Sequence, residues 1–508
     1  MFTRKSIIKK TIQVSGWTLV SKSLGIIREF LTVNYLGASG LSDAFFTAWK
    51  VPNSLRKIFA EGALSAVFVP SIVKKVREEG RDSVAHFMTL GFIIFESMVL
   101  LICVLGMLFA PFFISLIAPG FSTDQIEYGA LFLRILLPFI FLISSSALLA
   151  GPLQAVGHFF VPAFGPVLLN VFYISGLIVC LYFSLPVTAL CWFILAGGFV
   201  QLLAHFAVYF YLSFSFARVH KADLEQFALI LIKFFWCLLS MSVMEIGLFI
   251  DTSFASLLPQ GSISLIYYAN RFMGIPLGAF AVAFSTILLP HFSRVSAYAP
   301  KRLGFYLMQS TKLVWWVTFP AGFIMMLLSR NIFLTIFLSD KFTIAQVNQA
   351  AIILVAFLAG LFFFSINKIL MNVYYALNQT MLPGLTAAFS VGCNILFNWL
   401  LMDSYHAFGL AIATTLSAII QTILLFTILK MYFRLPLFMS HFGQFIRFYA
   451  IQVVLIGCVY ALAYRILWRV IDYTMPRFFI ESLGYWVWVG PLCLLFGATL
   501  FKTRRFFG

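Results

Sequence analysis

The chain has 508 residues, of which 62% are apolar and 10% charged, and its 34 Lys and Arg against 17 Asp and Glu give a formal net charge of +17. Soluble proteins carry a charged fraction nearer one quarter, and a mean hydropathy of +1.01 places this chain in a bilayer, with roughly fifteen spans as the ceiling at about 20 residues each. Large soluble domains are excluded, and so is nucleic-acid binding, because the basic residues are scattered in short clusters instead of forming one stripe.

Met1 to Lys10 is basic, but the run that follows carries Lys22, Arg28 and Glu29 and has no small-residue cleavage site. It reads as a first helix and not as a secretory signal. Span-length windows of hydropathy place helices near 11–36, 42–73, 85–115, 126–155, 162–184, 187–215, 225–257, 262–290, 304–328, 343–376, 381–402, 405–430, 441–466 and 479–501. The expected fold is an all-α integral membrane protein of about fourteen transmembrane helices. It divides into a six-helix lobe over 1–222, a pseudo-symmetric six-helix lobe over 223–436 and two additional helices over 437–508. The seven cysteines (Cys103, Cys180, Cys191, Cys237, Cys393, Cys458, Cys493) form no CxxC and mostly lie inside apolar runs. They read as small core residues, with neither a disulfide framework nor a zinc site indicated.

Basic residues set the orientation, because cytoplasmic loops hold an excess of Lys and Arg. Arg4 and Lys5 at the N-terminus, Lys74 and Lys75, Arg218 and Lys221, Arg294 and Lys301, Lys430 and Arg434, and Lys502 and Arg504 all fall on one side, which puts both termini in the cytoplasm. The thirteenth loop, with Arg465, Arg469 and Arg477, is an exception. A weak repeat at an offset of about 220 matches Gly25–Glu29 to Gly247–Asp251, Ala48–Lys50 to Ala269–Arg271, and Pro70 to Pro290. Duplicated membrane halves suit a transporter with its site between them.

Ionisable side chains at membrane depth face a cavity or a partner. Ser21, Lys22, Gly25, Arg28 and Glu29 fall on one face of helix 1, and Asp43, Thr47, Lys50, Ser54, Lys57 and Glu61 form one stripe on helix 2, with Arg56 beside it and Pro52 expected to kink the helix. Helix 8 adds Arg271, followed by Gly274 and Gly278. Together these enclose a hydrated, cationic cavity whose ligand is an anion, and Arg suits phosphate because its planar fork binds oxygens in pairs and stays charged when desolvated. A structural reading of the same residues pairs Lys57 with Glu61 at i, i+4, gives Arg28 and Glu29 local partners and lets Lys22 snorkel to the interface. Glu96, Arg134, Lys233, Lys312 and Arg447 read as structural, and Lys368 in helix 10 fits either role. Asp251, Asn394, Asn398 and Thr414 are hard oxygen donors that suit a sodium ion or, alternatively, hydrogen bonds between helices. No GxSxG, HExxH or Walker A is present, so an enzyme and an ATP-driven pump are not indicated.

The stretch from Ser42 and Asp43 through Trp49, Lys50, Pro52, Asn53, Arg56, Lys57, Glu61 and Gly62 to Pro70 resembles the signature of the MurJ (MviN) family of lipid II flippases. Leu24–Glu29, Tyr267–Arg271 and Thr286–Pro290 are similar to the family as well, and the resemblance extends over essentially the full length. It implies the fold of the multidrug/oligosaccharidyl-lipid/polysaccharide exporter superfamily in a bacterial inner membrane. The implied activity is alternating-access transfer of the undecaprenyl-diphosphate-linked peptidoglycan precursor, lipid II, to the outer leaflet.

By motif the family's cavity arginines fall on Arg28, Arg56 and Arg271, with Lys22 and Lys57 where relatives often have Arg. Ser21, Glu29, Asp43, Lys50, Asn53, Glu61 and Lys368 are then polar or gating residues of the cavity. Asn270 stands where an Asp precedes the helix 8 arginine, and the last two helices are similar to those that hold the lipid tail. The implied partners are lipid II, membrane lipids and the cell-wall synthesis machinery, with the chain acting as a monomer. Two alternatives keep the fold and change the cargo: another polyprenyl-diphosphate-linked saccharide, or drugs. Cationic drugs would call for a carboxylate-rich cavity.

Overall fold

The structure is a computed structural model of the chain and describes residues 4–80, 83–219, 221–377, 379, 381–437, 439–474 and 484–503. Among these residues every named element is helical, and the only strand-like feature is an isolated bridge between Ser339 and Phe342. Helices are what a bilayer permits, since a segment in hydrocarbon has to satisfy its own backbone groups.

The first helix, α1, covers Arg4–Leu36. The second, α2 (40–79), runs from Gly40–Arg56 through a π-helical stretch, Lys57–Phe68, into Val69–Glu79. In α3 (84–117) a shorter π-helical stretch, Phe92–Glu96, follows Val84–Gly91, and the chain continues through Ser97–Leu108 and Ala110–Ile117. α4 (123–155) joins Thr123–Leu136 to Pro138–Ala155, and α5 and α6 are Phe160–Phe183 and Val187–Tyr211. α7 is Lys221–Ser256, and α8 (262–298) places a π-helical stretch, Leu277–Val282, between Ser262–Pro276 and Ala283–Tyr298. α9 (303–337) comprises Leu303–Leu327 and Ser329–Phe337, and α10 (344–376) comprises Ile344–Ala359 and Leu361–Ala376, bent by 42° at the junction. α11 (381–405) and α12 (407–431) are the limbs of Met381–Met431, broken at His406 with φ 50° and ψ −134°. α13 is Met439–Thr474 and α14 is Tyr485–Thr503.

Each of the fourteen expected helices therefore has a helical stretch at its place. Among the described residues seven helical runs, with Met381–Met431 taken as one, are long and apolar enough on their own to cross a membrane, or eight with the bent α10. Starts are fixed by local chemistry: Ser39 with Ser42 on α2, Ser122 with Gln125 on α4 and Thr343 with Gln346 on α10 each form a reciprocal capping box. Pro52, where a kink was expected, lies inside the α-helical part of α2, and the π-helical stretch begins only at Lys57. The matching stretch in α8 begins at Leu277, directly after Pro276. At Pro276 the proline withdraws an N–H from the i to i−4 ladder, and a widened turn directly after it re-pairs the carbonyl it frees. Lys57 and Leu277 stand at the offset found for the sequence repeat.

The chain forms two compact units, Met1–Ser264 and Leu265–Gly508. The first is filled by phenylalanine: Phe68 stacks on Phe87 with centroids 5.1 Å apart, Phe95 meets Phe234 at 4.6 Å, and both Phe68 and Phe95 are buried. In the second, Phe292, Leu303, Ile366, Tyr374 and Leu425 form a buried core, where Tyr374 donates to the Leu425 carbonyl at 2.8 Å. α13 and α14 bring Tyr449, Val453, Phe496 and Leu500 against Trp315, Phe319 and Phe323 of α9, and Tyr449 donates to the Trp316 carbonyl at 2.8 Å.

Large apolar side chains such as Trp236, Leu108 and Leu494 are openly exposed, which suits a surface bathed in hydrocarbon. The cysteines correct the expectation that all of them are core residues: Cys103, Cys180 and Cys191 are buried, but Cys458 is exposed. Inside a bilayer a small apolar thiol loses nothing by facing lipid instead of protein.

Candidate functional site

The predicted face of α1 meets α5. The Arg28 guanidinium donates to Glu29 Oε1 at 2.7 Å and to Asn170 Oδ1 at 3.0 Å, and lies 5.1 Å from the centre of the Tyr173 ring. Asn170 in turn donates through Nδ2 to the carbonyl and hydroxyl oxygens of Ser21, at 3.0 and 3.1 Å. Arg28 and Glu29 are each only 15% exposed, so the guanidinium is held by an ion pair, a hydrogen bond and a ring face together. Lys22, on the same helix, is exposed.

The stripe on α2 is one stripe, as its spacing predicts, and it faces α7 and the first residues of α8. Asp43 is buried and caps α8: Oδ2 accepts from the Gly261 N–H at 2.6 Å, and Oδ1 accepts from Ser264 N and Oγ at 2.8 and 2.6 Å. A carboxylate there also complements the positive end of the helix dipole. Ser42 and Ser264, equivalent positions of the repeat, hydrogen-bond to each other at 2.8 Å. Further along, Lys50 donates to the Leu248 carbonyl at 3.2 Å and to the Thr252 hydroxyl. Ser54 donates to Glu245 Oε2 at 2.6 Å, and Lys57 lies 3.1 and 3.3 Å from the two Glu245 oxygens. The spacings 50, 54, 57 on α2 and 245, 248, 252 on α7 are each one helical face. Lys57 thus has a carboxylate from α7 as a partner. The Glu61 side chain lies outside the described residues, as do those of Lys74 and Lys221 and the whole of Arg477 and Arg504.

Gly261 holds a φ of +94°, and a Cβ on it would stand 2.8 Å from the Ala38 carbonyl oxygen. Gly261→Ala is expected to lower stability by about 1 to 3 kcal/mol through backbone strain at the capped junction, measured as a reduced melting temperature of the purified chain. An unchanged melting temperature would show that this turn is not rigidly held.

The other predicted cations engage groups nearby. Arg56 donates to Asn53 Oδ1 at 3.0 Å on its own helix. In the second unit Arg271 is exposed and donates to the Tyr267 hydroxyl at 2.9 Å, its guanidinium 4.8 Å from that ring's centre. Asn270, one residue earlier, supplies no carboxylate to it. Lys368 is half-buried on α10. For the sodium donor set, Asn398 donates through Nδ2 to Asn394 Oδ1 at 2.9 Å and Thr414 donates to the Leu410 carbonyl at 2.9 Å, all within the second unit. Asp251 belongs to the first unit, within electrostatic reach of the Lys50 ammonium. Asn394 Oδ1, the Thr414 hydroxyl and the Asp251 carboxylate each have a protein donor, carbonyl or ammonium close by, whereas among the described residues no hydrogen bond reaches the buried Asn398 Oδ1.

Two outlying charges take structural places: Glu96 is buried and accepts from Ser144 at 2.7 and 2.8 Å, and Arg134 donates to the Met107 carbonyl at 3.2 Å. Glu245, Asn170 and Tyr173 were not singled out by the sequence reading. The first two carried a usable signal, being isolated polar groups deep in the apolar runs of α7 and α5.

The family model described as lipid II flippase MurJ matches residues 32–485. A probable lipid II flippase MurJ of Buchnera aphidicola subsp. Acyrthosiphon pisum is 31% identical, with 83% of each chain covered. One of Vibrio cholerae serotype O1 is 32% identical, with 83% of this chain and 82% of that one covered. Among solved structures, a lipid II flippase MurJ in an inward closed conformation aligns with a TM-score of 0.79 at 26% identity, covering 97% of this chain and 99% of the other. An inward-facing multidrug transporter of the MATE family in the MOP superfamily aligns at 0.70 with 13% identity, over 86% of this chain and 99% of its own, which speaks for the fold alone. The motifs of α1, α2 and α8, the all-helical fold and a family match spanning nearly nine-tenths of the sequence agree: this chain belongs to the MurJ family.

Proposed function

We propose that the chain is a flippase that moves lipid II, the undecaprenyl-diphosphate-linked peptidoglycan precursor, from the inner to the outer leaflet of a bacterial cytoplasmic membrane by alternating access. The observation that carries the reading is the concentration of cations at membrane depth on α1 and α2, hydrogen-bonded to protein groups, in a chain whose family is named for that cargo. Arg28, Arg56 and Arg271 hold the diphosphate, with Lys22 and Lys57 beside them, while the polyprenyl tail stays in lipid along α13 and α14. Both termini lie in the cytoplasm and the working unit is a monomer. A drug cargo fits poorly, because cationic drugs would meet repulsion where this chain places Arg and Lys.

Carrying two negative charges outward across an inside-negative membrane releases about 2.3 kcal/mol per charge per 100 mV, so roughly 4 to 5 kcal/mol at 100 mV. In proteoliposomes holding the chain and lipid II, an imposed inside-negative potential is expected to shift lipid II to the outer leaflet, read by an impermeant enzyme that cleaves the exposed diphosphate. Equal exposure with and without the potential would contradict electrophoretic export. Equal exposure with and without the chain would contradict flipping itself.

A further inference from the structure

Glu245 is a carboxylate outside the set of cations that holds the diphosphate. It sits within α7, 14% exposed, and takes the Ser54 hydroxyl and the Lys57 ammonium as its donors. Lys57 is more open, at 39% exposure. A hydroxyl and an ammonium converging on one oxyanion are also the donors that a phosphate oxygen uses. Lys50, nearer the start of α2, holds the Leu248 carbonyl and Thr252 instead, so the exchangeable contact is confined to one end of the α2–α7 seam. A half-open ammonium in an apolar chain is stabilised by an anionic partner whether or not cargo is present.

We infer that Glu245 is an internal stand-in for the diphosphate of the cargo: it holds Ser54 and Lys57 against α7 while the site is empty and yields them when diphosphate oxygens arrive. Arrival of the head group then releases α2 from α7 at that end, which couples binding to the conformational step. This inference rests on the reading of the chain as a carrier of a lipid-linked diphosphate. It makes Glu245 a positioning residue that acts through Lys57.

The test measures binding of undecaprenyl diphosphate to the full-length chain, with undecaprenol as the uncharged control. Wild type is expected to prefer the diphosphate. Glu245→Gln is expected to bind the diphosphate about tenfold more tightly with undecaprenol binding unchanged, because a competitor for Lys57 has been removed. In a Lys57→Met background the same change is expected to give no gain, the coupling that a double-mutant cycle isolates. Equal or weaker diphosphate binding by Glu245→Gln, or a gain that persists without Lys57, overturns the inference while leaving the carrier reading intact. Failure of wild type to distinguish the diphosphate from the alcohol overturns the carrier reading, and the inference with it. Should Glu245→Gln not fold, Glu245→Asp, whose shorter reach loosens the same contact, is expected to gain about threefold, and no gain counts against the inference.

Discussion

Replacing Asp43 by Ala is expected to destabilise the chain by about 3 to 5 kcal/mol, among the largest effects of any single substitution outside the aromatic core. The carboxylate is 2% exposed and satisfies two backbone N–H groups and one hydroxyl, at Gly261 and Ser264. Alanine would strand all three donors in the buried seam where α2 is tied to the start of α8. Asp43→Asn keeps one acceptor and turns a donor toward the Gly261 N–H, so it is expected to fall between Ala and wild type. Thermal unfolding of the purified chain reads the order directly, and a melting temperature for Asp43→Ala equal to that of wild type would refute the capping role.

Arg28→Ala is expected to reduce lipid II translocation at least about thirtyfold, the effect of truncating one partner of a desolvated, hydrogen-bonded charge pair. Arg28 is held by Glu29, Asn170 and Tyr173, and lysine can replace its charge but not its planar fork, so Arg28→Lys is expected to be intermediate. If Arg28 served only to neutralise Glu29, adding Glu29→Gln to Arg28→Ala would restore transport. The proposed role in holding the diphosphate predicts no rescue, and a rescued double variant would reassign the arginine to structure.

Much of this arrangement is visible in the sequence because its two strongest signals are local. Apolar run length places the helices, and a helical period collects Asp43, Lys50, Ser54 and Lys57 on one face. Spacing also brings Arg28 and Glu29 together. What spacing cannot supply is the partner across helices: Glu245 lies 188 residues from Lys57, and Asn170 lies 142 residues from Arg28. Each stands as a lone polar residue in an apolar helix, with no pattern of its own. The α2 stripe was expected to line a wet chamber, and the structure shows Asp43, Lys50, Ser54 and Lys57 of it bonded to α7 and to the turn and first residues of α8. Nor does periodicity announce the π-helical stretches of α2 and α8, since these are set by backbone pairing and not by which side chains are apolar. Their common offset is the clearest sign that the two repeats share more than hydropathy.

The measurement that bears most directly on the central claim is complementation. A bacterium depleted of its own lipid II flippase would be supplied with this chain, and the lipid-linked precursor assayed for accessibility at the outer leaflet. Restored accessibility and growth, lost again with Arg28→Ala, are the predicted result; a correctly inserted chain that leaves the precursor confined to the inner leaflet would contradict the account.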